Sequence, residues 1–120
     1  MAPIANPLID SIKIPGCPRP VSLTTIIRLQ GDGNYTRLHL QTHTRPLLVA
    51  KSLKWFEELL PGFVRVHKSD LINPSFVQML DYHNAKTLEV RLPDKQIIKV
   101  SRRRIDPVLI KLKHHAIHMS

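Results

Sequence analysis

The chain has 120 residues, room for one domain with a modest core. It carries 18 lysines and arginines against 9 aspartates and glutamates, a formal net charge of +9 with a pI near 10.2. That excess favours a polyanionic partner and says nothing about fold. No apolar run nears the ~18 residues of a bilayer span, and the N-terminus has neither a basic stretch nor a long apolar one, so no membrane segment and no secretory signal is read. Cys17 is the single cysteine, so no intramolecular disulfide forms, which fits a reducing, cytoplasmic compartment. Its neighbours Pro15, Gly16, Pro18 and Pro20 describe an exposed turn, and a turn thiol outweighs a reactive one.

Five of the ten prolines lie within residues 1–20. Residues 1–7 are expected to be loose. Residues 8–14 alternate weakly, Ile12 and Ile14 against Ser11 and Lys13, and predict an edge strand, where nearby proline is tolerated. Residues 24–30 are rich in β-branched side chains and predict a strand. Gly31-Asp32-Gly33-Asn34 is a strong turn signal, because these residue types accept positive φ or bond their own backbone. Residues 35–42 then alternate, with Leu38 and Leu40 on one face and Tyr35, Arg37, His39 and Gln41 on the other, the period of a half-buried strand. Residues 45–50 predict the next strand.

The period changes over residues 52–60. Leu53, Phe56, Leu59 and Leu60 recur at helical spacing, Ser52 is a good N-cap, and Pro61-Gly62 ends the segment. Trp55 sits within this helix, where core packing outweighs a base-stacking role. Strands resume at residues 63–68 and, after a turn around Asn73-Pro74, at 76–80. Residues 87–92 alternate best, with Leu88, Val90 and Leu92 inward, and Pro93-Asp94-Lys95 turns them into an antiparallel partner over 96–100. For the last helix, Asp106 as N-cap with Pro107 as first helical residue is preferred to a cap at Ser101, which places proline in the second turn. Arg102, Arg103 and Arg104 then lie in a turn between strand and helix.

Catalytic patterns are thin, and the chain is not read as an enzyme. There is no glycine-rich phosphate loop and no G-x-S-x-G, and Glu57 and Glu58 are adjacent on a helix and point apart. His114, His115 and His118 cluster in the tail of residues 114–120. His114 and His118 are four apart, yet no carboxylate or cysteine completes a metal site, so a basic terminus is the better reading and no metal or other cofactor is expected.

Binding chemistry is richer. The adjacent guanidinium groups of Arg102 to Arg104 repel one another unless an anion lies opposite, and arginine's planar fork suits phosphate oxygens and the acceptor edge of guanine. Two further segments place basic and hydrogen-bonding groups near turns: residues 33–37 (Gly-Asn-Tyr-Thr-Arg) and 65–69 (Arg-Val-His-Lys-Ser). Singly, each has an ordinary structural explanation: Asn34 as a turn former, His67 as a bonded structural histidine, Lys68 as a solvated charge.

Taken in order, these segments resemble the LytTR-type DNA-binding domain of bacterial transcription regulators. The likeness is carried by Gly31-Asp32-Gly33-Asn34-Tyr35-Thr36, by Ser52-Leu53 opening a helix with Glu57 and Leu60, by residues 63–73 (FVRVHKSDLIN), and by Val100-Ser101-Arg102-Arg103. It covers residues 8–113. The resemblance implies a mostly β, elongated antiparallel fold with one short central helix and a C-terminal helix. It implies that double-stranded DNA, typically bent, is read by loops and strand ends rather than by a recognition helix. Residue by residue, it puts Asn34, Tyr35, Thr36 and Arg37 in a first contact segment and Lys68 and Ser69 in a second. Arg102, Arg103 and Arg104 form a third, with Arg102 expected at a base and the other two at phosphates. Arg65, His67 and Asn73 are read as bracing the contact loop.

Many such regulators carry a phosphoacceptor receiver domain or membrane segments upstream. About 20 residues precede the domain signals here, so a free-standing binder and an excised output domain are both open. A homodimer on repeated half-sites and a separate signalling partner are compatible with either. Two other readings stand beside duplex binding: a protein-interaction module that docks an acidic partner, and single-strand nucleic-acid binding. The latter usually displays several aromatics for stacking, and only 5% of this chain is aromatic.

Overall fold

The computed structural model describes residues 10–113 and the backbone of residues 118–119. The segment 1–7 and the side chains of His114, His115 and His118 lie outside the described residues. The chain forms a flattened body of 44 × 39 × 24 Å. A short ribbon opens it: β1 (Ser11–Ile12) pairs antiparallel with β2 (Val21–Ser22).

A five-stranded sheet follows, built from β3 (Ile26–Asp32), β4 (Tyr35–Leu40), β5 (Leu47–Val49), β6 (Val64–His67) and β7 (Asp70–Ile72), in the order β5-β4-β3-β7-β6. All its pairings are antiparallel. A second sheet contains β8 (Met79–Asn84), β9 (Thr87–Leu92) and β10 (Gln96–Lys99), again antiparallel, with β11 (His118–Met119) running parallel to β8. Helix α1 (Leu53–Leu59) lies between β5 and β6, and α2 (Ile105–Leu112) follows β10.

The five-stranded sheet separates two cores, because successive strand residues project to opposite faces. Leu71 joins Leu29, Leu38, Leu40 and the α1 residues Leu53 and Phe56 on one side. Its neighbour Ile72 joins Val64, Val66, the β9 residues Leu88, Val90 and Leu92, and Ile105, Val108 and Leu112 of α2 on the other. Helix α1 is held as its sequence predicts: the Ser52 hydroxyl accepts the Trp55 N–H at 3.2 Å, and Phe56 is fully buried. Burying a side chain of that size contributes roughly 1.5–3 kcal/mol. Trp55 is partly buried, edge-on to Phe56 at 4.9 Å, with the Lys51 ammonium 5.3 Å from its ring centre.

Several predicted boundaries shift, and one strand lies outside the predicted set. Residues 23–25 form a 3-10 turn before β3, and residues 74–76 another, so Phe76 precedes β8 rather than opening it. Pro74 supplies the fixed φ of that turn, and the Asn73 carboxamide oxygen accepts the Ser75 N–H at 3.0 Å. Strand β7 has only three residues, too short for its period to register in sequence. Helix α2 starts at Ile105, directly after a 3-10 turn over Arg102–Arg104, so Pro107 is its third residue. The absent N–H of Pro107 costs nothing there, because the first four helical N–H groups have no intrahelical acceptor.

Candidate nucleic-acid interface

The first contact segment is a hairpin end. Asp32 pairs with Tyr35 across the β3–β4 turn, and Gly33 takes φ +62°, which a side chain would strain. Asn34 and Tyr35 are exposed, Tyr35 at 49%. Arg37 is half-buried and bound to Asp32 at 2.9 Å. Thr36 departs from expectation. It shares the inward face with Leu38, is fully buried, and its hydroxyl donates to the Lys51 carbonyl at 2.7 Å. It is a packing and hydrogen-bonding residue, and the surface set loses it.

The second segment is the tight β6–β7 turn. His67 pairs with Asp70 and leaves Lys68 and Ser69 at the tip. Lys68 is exposed and Ser69 half-buried. Arg65 reaches along the strand to this tip. Its Nε donates to the His67 carbonyl at 2.8 Å and its Nη2 to the Lys68 carbonyl, while Nη1 pairs with Glu57 of α1. The His67 Nδ1 accepts the Ser69 N–H at 3.2 Å. Asn73 does something else. It sits at the opposite end of β7, buried, and its Nδ2 donates to the carbonyls of Leu23 and Ile26. It ties the 3-10 turns together and does not touch the Lys68-Ser69 loop.

Two backbone hydrogen bonds bring the segments to one end of the five-stranded sheet. The Gly31 N–H donates to the Ser69 carbonyl at 2.8 Å, joining the first turn to the second. The Ser101 N–H donates to the Val66 carbonyl at 2.8 Å, seating the arginine turn beside β6. Gly31 also lets α1 approach: a Cβ there would lie 3.1 Å from the Cβ of Leu53.

The three consecutive arginines are not equivalent. Arg102 and Arg103 are exposed, and Arg104 is half-buried. Burial disfavours the Arg104 charge most, Arg103 and Arg65 add to that, and Glu57 offsets part of it. Arg104 thus shares the environment of the Arg65–Glu57 pair. Of the two arginines expected at phosphates, Arg103 is the more exposed.

Behind the turns lies a polar network that links the sheets. Arg28, nearly buried, donates Nη1 to Asp70 at 2.8 Å and Nε to the Gln96 side chain at 3.0 Å. Burial lowers the Arg28 pKa more than Asp70 raises it. On the same face of β4, burial and then Arg28 and Arg37 push the His39 pKa down to about 4.

Sequence reasoning missed one part of the surface. An open cleft of about 510 Å³ is lined by His67, Lys86, Lys99, Val100, Ser101 and Arg102. Lys86 lies in the turn between β8 and β9, and its sequence neighbourhood carries no alternation that marks it as part of a binding surface. Among the described residues, no group of three or more His, Cys, Asp or Glu side chains is disposed to hold a metal, and no helix is long and apolar enough to cross a membrane.

The family model of the LytTr DNA-binding domain matches residues 18–113. Among solved structures, the chain is similar to the LytTr DNA-binding domain of a protein described as a methyl-accepting/DNA response regulator from Bacillus cereus. The two share 20% identity and superpose with a TM-score of 0.68 over 85% of this chain and 94% of the other. No curated protein sequence matches the chain.

Proposed function

Since the chain belongs to the LytTR family, the DNA-binding domains of transcription regulators, we propose that it binds double-stranded DNA sequence-specifically through the turns at one end of its five-stranded sheet. The observation that carries this reading is the pair of hydrogen bonds, Gly31 to Ser69 and Ser101 to Val66, that gathers three distant polar segments. Exposed at that end are Asn34, Tyr35, Lys68, Arg102 and Arg103. Both helices are short and bury residues in the cores, Leu53 and Phe56 from α1 and Ile105, Val108 and Leu112 from α2, whereas the polar groups above stand at turns, which supports reading through loops.

Roles follow from chemistry. Arg102 offers a two-pronged donor that matches the O6 and N7 acceptors of guanine in the major groove. Lys68 and Arg103 supply point and forked charges for backbone phosphates, which set position and affinity rather than sequence. Arg65 and His67 are positioning residues: they bond the main chain of the Lys68-Ser69 tip, so its presentation does not cost the full entropy of a free loop.

The test is selection of binding sites from random duplex DNA, followed by affinity measurements across salt concentrations. Arg102→Ala is expected to relax preference at one base position. Lys68→Ala is expected to weaken binding to all sites and to reduce the log–log salt slope by roughly 0.9. No enriched sequence, or both variants binding like the parent at every salt concentration, overturns the proposal.

A further inference from the structure

The cleft at the junction of the two sheets collects polar and cationic side chains from three places that are remote in sequence. His67 comes from the end of β6, Lys86 from the β8–β9 turn, and Lys99, Ser101 and Arg102 from the end of β10 and the turn beyond it. Its walls are fixed by main-chain bonds. The Lys86 N–H donates to the Asn84 side chain at 2.8 Å, the Val100 N–H to the Leu88 carbonyl at 2.9 Å, and the Ser101 N–H to the Val66 carbonyl at 2.8 Å.

The charge balance sets this cleft apart. Elsewhere the protein neutralises its strand arginines: Arg28 with Asp70, Arg37 with Asp32, Arg65 with Glu57, and Arg91 with Asp81. Among the described residues, Lys86, Lys99 and Arg102 have no carboxylate within 4.0 Å, and no acidic side chain lines the cleft. All three are exposed. Converging, unneutralised cations on a fixed frame repel one another until an anion enters.

We infer that this cleft seats the phosphate backbone of the bound duplex. On this assignment Lys86 and Lys99 extend the contact surface from the three turns of the five-stranded sheet onto the second sheet. The assignment rests on the duplex-binding reading above and adds two phosphate contacts that carry no sequence information. A lone phosphate is the less fitting occupant. The cleft is open and wide, and its cations stand on separate elements, as a continuous backbone requires. Arg102 lines the same cleft as the two lysines, so a backbone held by them lies beside the guanidinium proposed to read a base.

The experiment compares the parent chain with Lys86→Gln/Lys99→Gln on a selected duplex and on a scrambled one, across salt concentrations. The expected result is a salt slope smaller in magnitude by roughly 1.8 for two lost contacts, the same weakening on both duplexes, and an unchanged thermal midpoint. A parental slope in the double variant, while the parent still discriminates the two duplexes, overturns the cleft assignment and leaves the proposed function standing. Failure of the parent to bind duplex DNA overturns both. In a further arm, inorganic phosphate is compared with chloride at matched ionic strength. Equal competition supports a polyanion seat, and displacement of DNA by phosphate beyond the chloride control marks a discrete free-anion site and overturns the assignment.

Discussion

The Arg28–Asp70 pair offers a quantitative test of how the two sheets are joined. Its side chains are only 11% and 15% exposed, and Arg28 also bonds Gln96 of the second sheet. Replacing Asp70 with Asn removes the counter-charge and leaves the guanidinium largely desolvated. Losing one partner of a buried pair costs about 3–5 kcal/mol, and residual solvent contact places this one near 3 kcal/mol. That is a large part of the roughly 5–15 kcal/mol that holds a domain together. The charge on Arg28 is already disfavoured, because burial lowers its pKa more than Asp70 restores it. Removing both charges therefore relieves a strain that either single change exposes. In urea titrations, Arg28→Met/Asp70→Asn is expected to cost less than the sum of its single changes, with a coupling of about 1 kcal/mol or more. Single variants that each lose under about 1 kcal/mol, or strict additivity in the double, would refute this account of the inter-sheet link.

Two further outcomes follow from side chains on β4. Thr36→Val keeps shape but deletes the donor to the Lys51 carbonyl, so urea unfolding should show a loss of about 1–3 kcal/mol, while the folded variant keeps the parental affinity for duplex DNA; unchanged stability with weakened binding would return Thr36 to the contact surface. His39 has its folded pKa lowered to about 4 from an ordinary 6.5, so the native state takes up its proton later than the unfolded chain does. Its contribution to stability is present above pH 6.5 and is lost as pH falls toward about 4. The imidazole resonances should therefore titrate near the lower value, and His39→Gln should flatten the acid side of the stability profile. Titration near 6.5 in the folded protein contradicts the burial argument.

Much of the architecture was legible locally. Strand β9 ran over the residues its alternation marks, and α1 began at the Ser52 cap. Both signals are carried by neighbours along the chain: a period of two, or a hydroxyl three residues from the N–H it accepts. Where the local signal was short or mixed, boundaries moved. The three residues of β7 give less than two periods, and Pro107 fits both the first and the third position of a helix, so composition does not choose between them.

Residue type and order also determined which three segments carry polar, cationic chemistry and which family pattern they follow. The alternation of residues 35–42 already places Thr36 on the face of Leu38 and Leu40, and the tertiary structure adds its full burial and its hydrogen bond to the Lys51 carbonyl. Only the tertiary structure decided how the cationic side chains are exposed and paired. Arg104 is half-buried while its two neighbours stay exposed. Lys86 and Lys99 line one cleft with Arg102 because the pairing of β9 with β10 brings the β8–β9 turn and the end of β10 together within the second sheet. Charge and turn propensity are properties of residues in sequence, whereas pairing, neutralisation and convergence are relations between residues far apart in it, and these exist only once the strands have found their register.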